Sequence, residues 1–142
     1  MKISAKTEYA CIAMLELAAS YGSGDPVRIR SIADEHGIPS RFLVQILLQL
    51  KGAGFVTSTR GASGGYQLVK PPEEISLADV MHVIDGAEEP IMSSASPESV
   101  PGKVLRAAWQ EVADVQQEML RAINFAELID RAQQQAENMY YI

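Results

Sequence analysis

The stretch Phe55-Val56-Thr57-Ser58-Thr59-Arg60-Gly61-Ala62-Ser63-Gly64-Gly65-Tyr66-Gln67-Leu68-Val69 decides the fold. Apolar residues recur at about every second position on both sides of a glycine-rich turn, the pattern of a β-hairpin with a loose tip. Directly upstream, Ser40 to Lys51 carries Leu43, Ile46, Leu47 and Leu50 on one helical face. The short break Gly52-Ala53-Gly54 separates the two. Helix, glycine break and hairpin with an arginine at its tip form the layout of a winged helix-turn-helix. That arrangement puts cations where a duplex has phosphates and grooves.

Further upstream, a first helix runs from Ser4 or Thr7 to Ser20, apolar on nearly all sides and so central to a core or a dimer seam. Tyr21 to Pro26 is a loop, and Val27 to Arg30 is expected to make a brief strand. Ser31 to His36 forms a short helix that Gly37 stops, and Ile38-Pro39-Ser40 is a tight turn with Ser40 as N-cap of the next helix. Downstream, Pro71-Pro72 breaks the chain. Ser76 opens a fourth helix, with Asp79 at the capping-box position, and Asp85-Gly86 closes it.

Ala87 to Gly102 carries prolines and serines without periodicity and reads as a long loop, functional or mobile. A long helix follows from about Lys103 to Ile123, striped by Val104, Ala108, Val112, Val115, Met119 and Ala122. Asn124-Phe125-Ala126-Glu127 caps a short last helix through Gln135. The expected fold class is mainly α with a small β-hairpin. A winged helix-turn-helix domain spans residues 1–72, and a loop with further helices spans 73–142.

Composition narrows the function. Apolar residues make up 47% and charged residues 21% of the 142, a globular balance with room for a real core. No apolar run is long enough for a membrane span, and the N-terminus lacks the apolar core of a signal peptide. A single cysteine, Cys11, excludes an internal disulfide framework and fits a reducing compartment, so the cytoplasm is expected. The net charge of −6 is unevenly spread: residues 1–70 hold eight Lys and Arg against five acids, while residues 71–142 hold four against thirteen. The first half is therefore net +3 and the second net −9, and phosphate binding depends on local potential.

If Leu43, Ile46, Leu47 and Leu50 face the core, Arg41, Gln45 and Leu48 lie opposite, flanked by Val44 and Gln49. Ser40 and the free backbone N–H groups at the helix start suit a phosphate. Arg41 matches guanine and Gln45 matches adenine in the major groove. Leu48 sits awkwardly on such a face and either stays outward or packs against the first helix or the wing. Arg60 precedes the glycine turn where a wing skirts the minor groove, and Gly61, Gly64 and Gly65 permit positive φ and close backbone approach to phosphate. Lys2, Arg30, Val44 and Ser63 complete the expected DNA-contacting set. No nucleophile–histidine pair, metal spacing or phosphate loop is present, because Gly61-Ala62-Ser63-Gly64-Gly65 lacks the Lys-Ser/Thr of a P-loop. No enzyme, metal or cofactor is expected.

Several stretches together resemble the Rrf-type winged-helix transcription regulators, the group typified by the IscR, NsrR and CymR repressors. They are Lys2 to Ala10, Ile32-Ala33 with Ile38 to Gln45, Lys51 to Val56 with Arg60 to Leu68, Ile75 to Val80, Trp109, and Phe125 to Ile129. The resemblance implies a homodimer joined through the long helix after the loop and bound to a roughly palindromic operator in double-stranded DNA. It also marks a departure. Many members hold an iron–sulfur cluster through three loop cysteines, and the corresponding loop, Glu88 to Lys103, has none.

Glu8, where some relatives supply a carboxylate ligand, is then a surface or salt-bridging residue. The cluster-free branch responds through a partner protein or thiol oxidation, for which Cys11 is the one candidate thiol, otherwise a buried core residue. A small molecule between the fourth and the long helix, near Met81, Met92 and Trp109, is the other possible effector. Trp109 and the methionines are otherwise core and dimer packing. A winged-helix protein-interaction module that no longer binds DNA is the alternative function.

Overall fold

A computed structural model describes residues 1–140. Its elements are α1 (Ala5–Ala19), α2 (Ile29–His36), α3 (Ser40–Gly52), β1 (Val56–Thr59), β2 (Gly65–Leu68), a 3-10 turn at Pro72–Glu74, α4 (Leu77–Asp85), α5 (Val100–Ala122) and α6 (Phe125–Tyr140). Ser4 starts α1 by accepting a hydrogen bond from the Thr7 N–H at 3.1 Å. Small and flexible side chains then let neighbours close in. Ala10, Ala13, Met14 and Leu17 are buried, and α1 packs against α3, α4, α6 and β2.

The main core joins Met14 and Leu17 to Ile46, Leu47 and Leu50 of α3, to Phe55, Val56 and Leu68 of the hairpin, and to Ile75, Val80 and Phe125. Residues on both sides of Pro71-Pro72 therefore share one core. Two backbone bonds fasten the C-terminal part: the Leu77 N–H donates to the Ile123 carbonyl and the Phe125 N–H to the Ile75 carbonyl. A smaller cluster of Ala13, Ile32, Ala33, Ile38 and Leu43 seats α2 in the angle between α1 and α3.

Local signals account for most boundaries. Gly37 closes α2 in the left-handed conformation at φ 65°. Ser76 and Asp79 form the expected capping box on α4. The strands pair antiparallel, with Val56 opposite Leu68 and Thr59 opposite Gly65.

Four expectations change. The strand foreseen at Val27 to Arg30 shrinks to one bridge, Val27 with Tyr66, because α2 already begins at Ile29 and turns Ile29 and Ile32 inward. Ser40 is the first helical residue rather than the N-cap; Pro39 holds the cap position, and its carbonyl accepts from the Phe42 N–H. The long helix starts at Val100, where Ser99 accepts from the Gly102 N–H at 3.2 Å and Pro101 fits the first turn. The last helix continues to Tyr140, started by the Asn124 side chain on the Glu127 N–H and braced by the Arg131–Glu127 pair at 2.7 Å.

Trp109 and most methionines are not core. Trp109 keeps 57% of its surface and Met92 77%, whereas Met14 is the buried methionine. α5 lies along α4, and Leu120 is its one buried residue, so among the described residues its apolar stripe, Val104, Val112, Val115 and Met119, stays exposed. No helix among the described residues is long and apolar enough to cross a membrane.

Candidate nucleic-acid interface

Helix α3 has two unlike faces. Leu43, Ile46, Leu47 and Leu50 are wholly buried, while Ser40, Arg41, Val44, Gln45, Leu48 and Gln49 are exposed. Leu48 stays outward at 55% exposure. The Arg41 guanidinium lies 5.1 Å from the centre of the Phe42 ring, and Phe42 in turn meets Tyr9 at 6.0 Å. Ring contact of this kind holds the arginine stem while leaving its N–H fork free. At the other end of α3 the Lys51 ammonium donates to the Ser58 hydroxyl at 2.7 Å, which ties the helix to the wing.

The wing tip is shaped by its glycines in different ways. Gly61 sits at φ 107°, which a side chain would strain, and it is exposed with Arg60, Ala62 and Ser63. Gly64 is buried. A Cβ there would fall 2.1 Å from the Thr59 carbonyl oxygen, so this position needs glycine for hairpin packing and does not offer backbone to a phosphate. A Cβ on Gly65 would meet the Val27 carbonyl oxygen at 2.5 Å. That oxygen accepts from the Tyr66 N–H at 2.8 Å, so glycine is what lets the segment before α2 lie against β2.

The sequence reading missed Arg28. It flanks α2 and, with Ile29, lines an open hollow of about 360 Å³ against Gly61, Ala62 and Gly64 of the wing. The bridge of Val27 to Tyr66 places it there, and alternation of Val27 and Ile29 was the one signal available. Arg30 is exposed on α2. Lys2 is exposed but elsewhere: it borders a hollow of about 310 Å³ made by Ala78, Met81, His82 and Asp85 of α4 with Gln116 and Leu120 of α5. Met92 and Trp109 line a separate hollow, so Met81, Met92 and Trp109 do not form one ligand site.

Cys11 is partly buried in α1, and its thiol is pushed up to about 11, first by burial and then by the Asp85 carboxylate. Asp85 is held by the Thr7 hydroxyl, which donates to it at 2.7 Å. A redox-active thiol needs the opposite, a depressed pKa beside a cation. Glu8 is exposed. Glu16, Glu35 and His36 form the one place among the described residues where three possible ligand atoms come within 4.8 Å of one another. His36 Nε2 lies 2.8 Å from Glu16 Oε1, joining α1 to α2. A spacing of twenty residues hid this group from the sequence reading.

The model of the Rrf2 family, described as iron-dependent transcriptional regulators, matches residues 3–131. The chain belongs to the Rrf2 family. It is similar to the HTH-type transcriptional regulator CymR of Bacillus subtilis, 34% identical over the whole of both chains. An HTH-type regulator of Mycobacterium tuberculosis is 38% identical over 90% of this chain and 81% of its own length. Among solved structures, CymR, the global cysteine regulator of B. subtilis, superposes with a TM-score of 0.81 at 32% identity, covering 92% of this chain and 98% of that one. IscR of T. potens gives 0.75 at 32% identity over 93% and 88%. These relatives are transcriptional regulators, and the winged-helix fold is common to them and this Rrf2 protein.

The iron in the family description does not translate into a cluster site. An iron–sulfur cluster takes several thiolates. The segment between α4 and α5 has no cysteine, and the lone Cys11 favours its protonated form. Glu16, Glu35 and His36 offer oxygen and nitrogen donors only. The residues present do not fit an iron–sulfur cluster.

Proposed function

We propose that this Rrf2-family protein is a homodimeric, sequence-specific DNA-binding regulator, acting as a repressor on a palindromic operator in the cytoplasm without an iron–sulfur cluster. One observation carries the reading. Helix α3 spends its apolar stripe on the core and keeps Arg41, Val44 and Gln45 free, tied through Lys51 to a wing that ends in Arg60. Arg41 and Gln45 read base edges, and Ser40 with the first N–H groups of α3 takes a phosphate. Arg60 reaches the minor groove, with Gly61 and Ser63 against the backbone, while Arg28 and Arg30 extend the cationic surface at α2. Lys2 contributes only if the duplex reaches the α4 side. The dimer forms through the uncovered stripe of α5. A partner protein or small molecule acts on the segment between α4 and α5.

Selection of genomic fragments by the purified protein, followed by gel-shift titration on the selected site, tests this directly. Arg60→Ala is expected to weaken operator binding at least ~tenfold, about 1–3 kcal/mol. Unchanged affinity refutes the role of the wing. Failure to select any fragment, with no salt-dependent DNA binding, favours an interaction module on a winged-helix scaffold instead. An anaerobically purified protein with visible absorption would overturn the cluster-free reading.

A further inference from the structure

Two apolar side chains stand in the middle of the outward face of α3. Leu48 is 55% exposed and Val44 42% exposed, one turn apart. At about 100° per residue, Arg41, Val44, Gln45 and Leu48 share one stripe opposite the buried leucines, with Leu48 near its centre. Both stay exposed among the described residues, and both flanking residues on the stripe are polar: Arg41 and Gln45. An exposed leucine at the centre of a face otherwise built for a duplex needs an apolar partner inside a polar groove. The major groove offers one, the C5-methyl group of thymine.

We infer that Val44 and Leu48 read thymine methyl groups, so that each operator half-site carries thymines at positions fixed by the spacing of these two side chains. The inference rests on the DNA-binding reading above and adds what the half-site must contain. Their Cα atoms are separated by about 6 Å along the helix axis. At ~3.4 Å per base pair that is about two base-pair steps for a helix lying along the groove. Arg41 lies one turn toward the helix start and Gln45 beside Val44, so the thymines are flanked by a guanine or phosphate contact on one side and an adenine contact between them. A second copy of the chain as occupant is disfavoured by the charge around the patch. Arg41 stands on this face, and exposed Arg28, Arg30 and Arg60 lie at α2 and the wing, the elements packed beside α3; these cations would repel their own image, while they complement phosphates.

The test uses the full-length protein and the operator from fragment selection. Each thymine of a half-site is replaced singly by deoxyuridine, which removes only the methyl group. At two positions, about two base pairs apart, wild-type affinity should fall about fourfold per methyl. Leu48→Ala should bind the unmodified operator about fourfold or more weakly and lose sensitivity to deoxyuridine at one of those positions, while keeping it at the other. Val44→Ala should do the converse. Leu48 is exposed, so circular dichroism and the melting midpoint should be unchanged by its truncation. Affinity within twofold for every deoxyuridine operator would overturn the inference while leaving DNA binding intact. The same holds if Leu48→Ala retains the full methyl sensitivity of the wild type. Loss of all selected binding in the wild type would overturn both readings.

Discussion

In α3 the stripe Leu43, Ile46, Leu47 and Leu50 keeps no exposed surface, whereas in α5 Val104, Val112, Val115 and Met119 each keep more than half of theirs. Both helices are amphipathic by the same periodicity. The difference lies in what the chain has left to put against them. α3 is met by α1, by α2, by the hairpin and by α4. α5 is about 35 Å long at 1.5 Å per residue, and among the described elements α4 is its main neighbour, with the Met92–Ala95 segment near its first turns. Periodicity reports which face wants cover, and not whether the cover is intramolecular. An uncovered stripe of this length on a regulator is what a self-complementary interface with a second copy requires.

The sharpest way to break that contrast is Val112→Asp. In the proposed dimer the new carboxylate would be buried near the seam in both copies, so dimerisation should weaken by at least about 3–5 kcal/mol. Light scattering should then report a monomer, with helical circular dichroism retained because Val112 touches little of its own chain. A dimer of unchanged affinity would remove α5 as the seam. The matching change in the covered helix, Leu47→Ala, should instead cost about 2–5 kcal/mol of folding stability in denaturant unfolding. Dimer affinity per folded chain should stay as it was. If Leu47→Ala were nearly neutral, the core described around α1 and α3 would be wrong.

The covered face of α3 was legible because its leucines follow helical spacing and are bounded by Pro39 and by the glycines after Lys51. The hairpin was legible from alternation, and the α4 capping box from Ser76 and Asp79 three residues apart. What escaped the sequence depended on atoms distant along the chain. Gly64 and Gly65 looked like a flexible phosphate-facing pair, yet each is required by a carbonyl, that of Thr59 and that of Val27. Arg28 reached the wing only through the Val27–Tyr66 bridge. Trp109 read as core or dimer packing and is exposed within the single chain, because apolar spacing is the same whether a neighbour or water lies outside it.

Burial also sets the chemistry of Cys11, on the covered side of the molecule. Unfolded, its thiol gives up a proton near 9.0; folded, it does so near 11. Between those values the unfolded chain binds fewer protons than the native one, so stability falls as pH rises, and below pH 9 the group contributes nothing. Cys11→Ala should therefore lessen the alkaline loss by about 1 kcal/mol at pH 10, read as the difference between the two proteins' unfolding curves. The native thiol should react slowly with a thiol reagent at pH 8 and quickly once unfolded. Fast native reaction would return Cys11 to the list of redox candidates.

The smallest effect belongs to the start of α5. α3 begins without a side-chain cap and is held by packing, while α5 begins on the Ser99 hydroxyl at the Gly102 N–H, a half-buried cap followed by exposed Lys103, Val104 and Leu105. Removing that hydroxyl in Ser99→Ala should cost about 0.5 kcal/mol, the low end for lost caps, because the first turn is free to fray without disturbing a core. The loss should appear as faster amide exchange at Gly102 to Val104, with little change in the global unfolding midpoint. A drop in the midpoint as large as that of Leu47→Ala would mean that the N-terminal end of α5 is as tightly built into the single chain as α3. The contrast between a finished helix and an unfinished one would then fail.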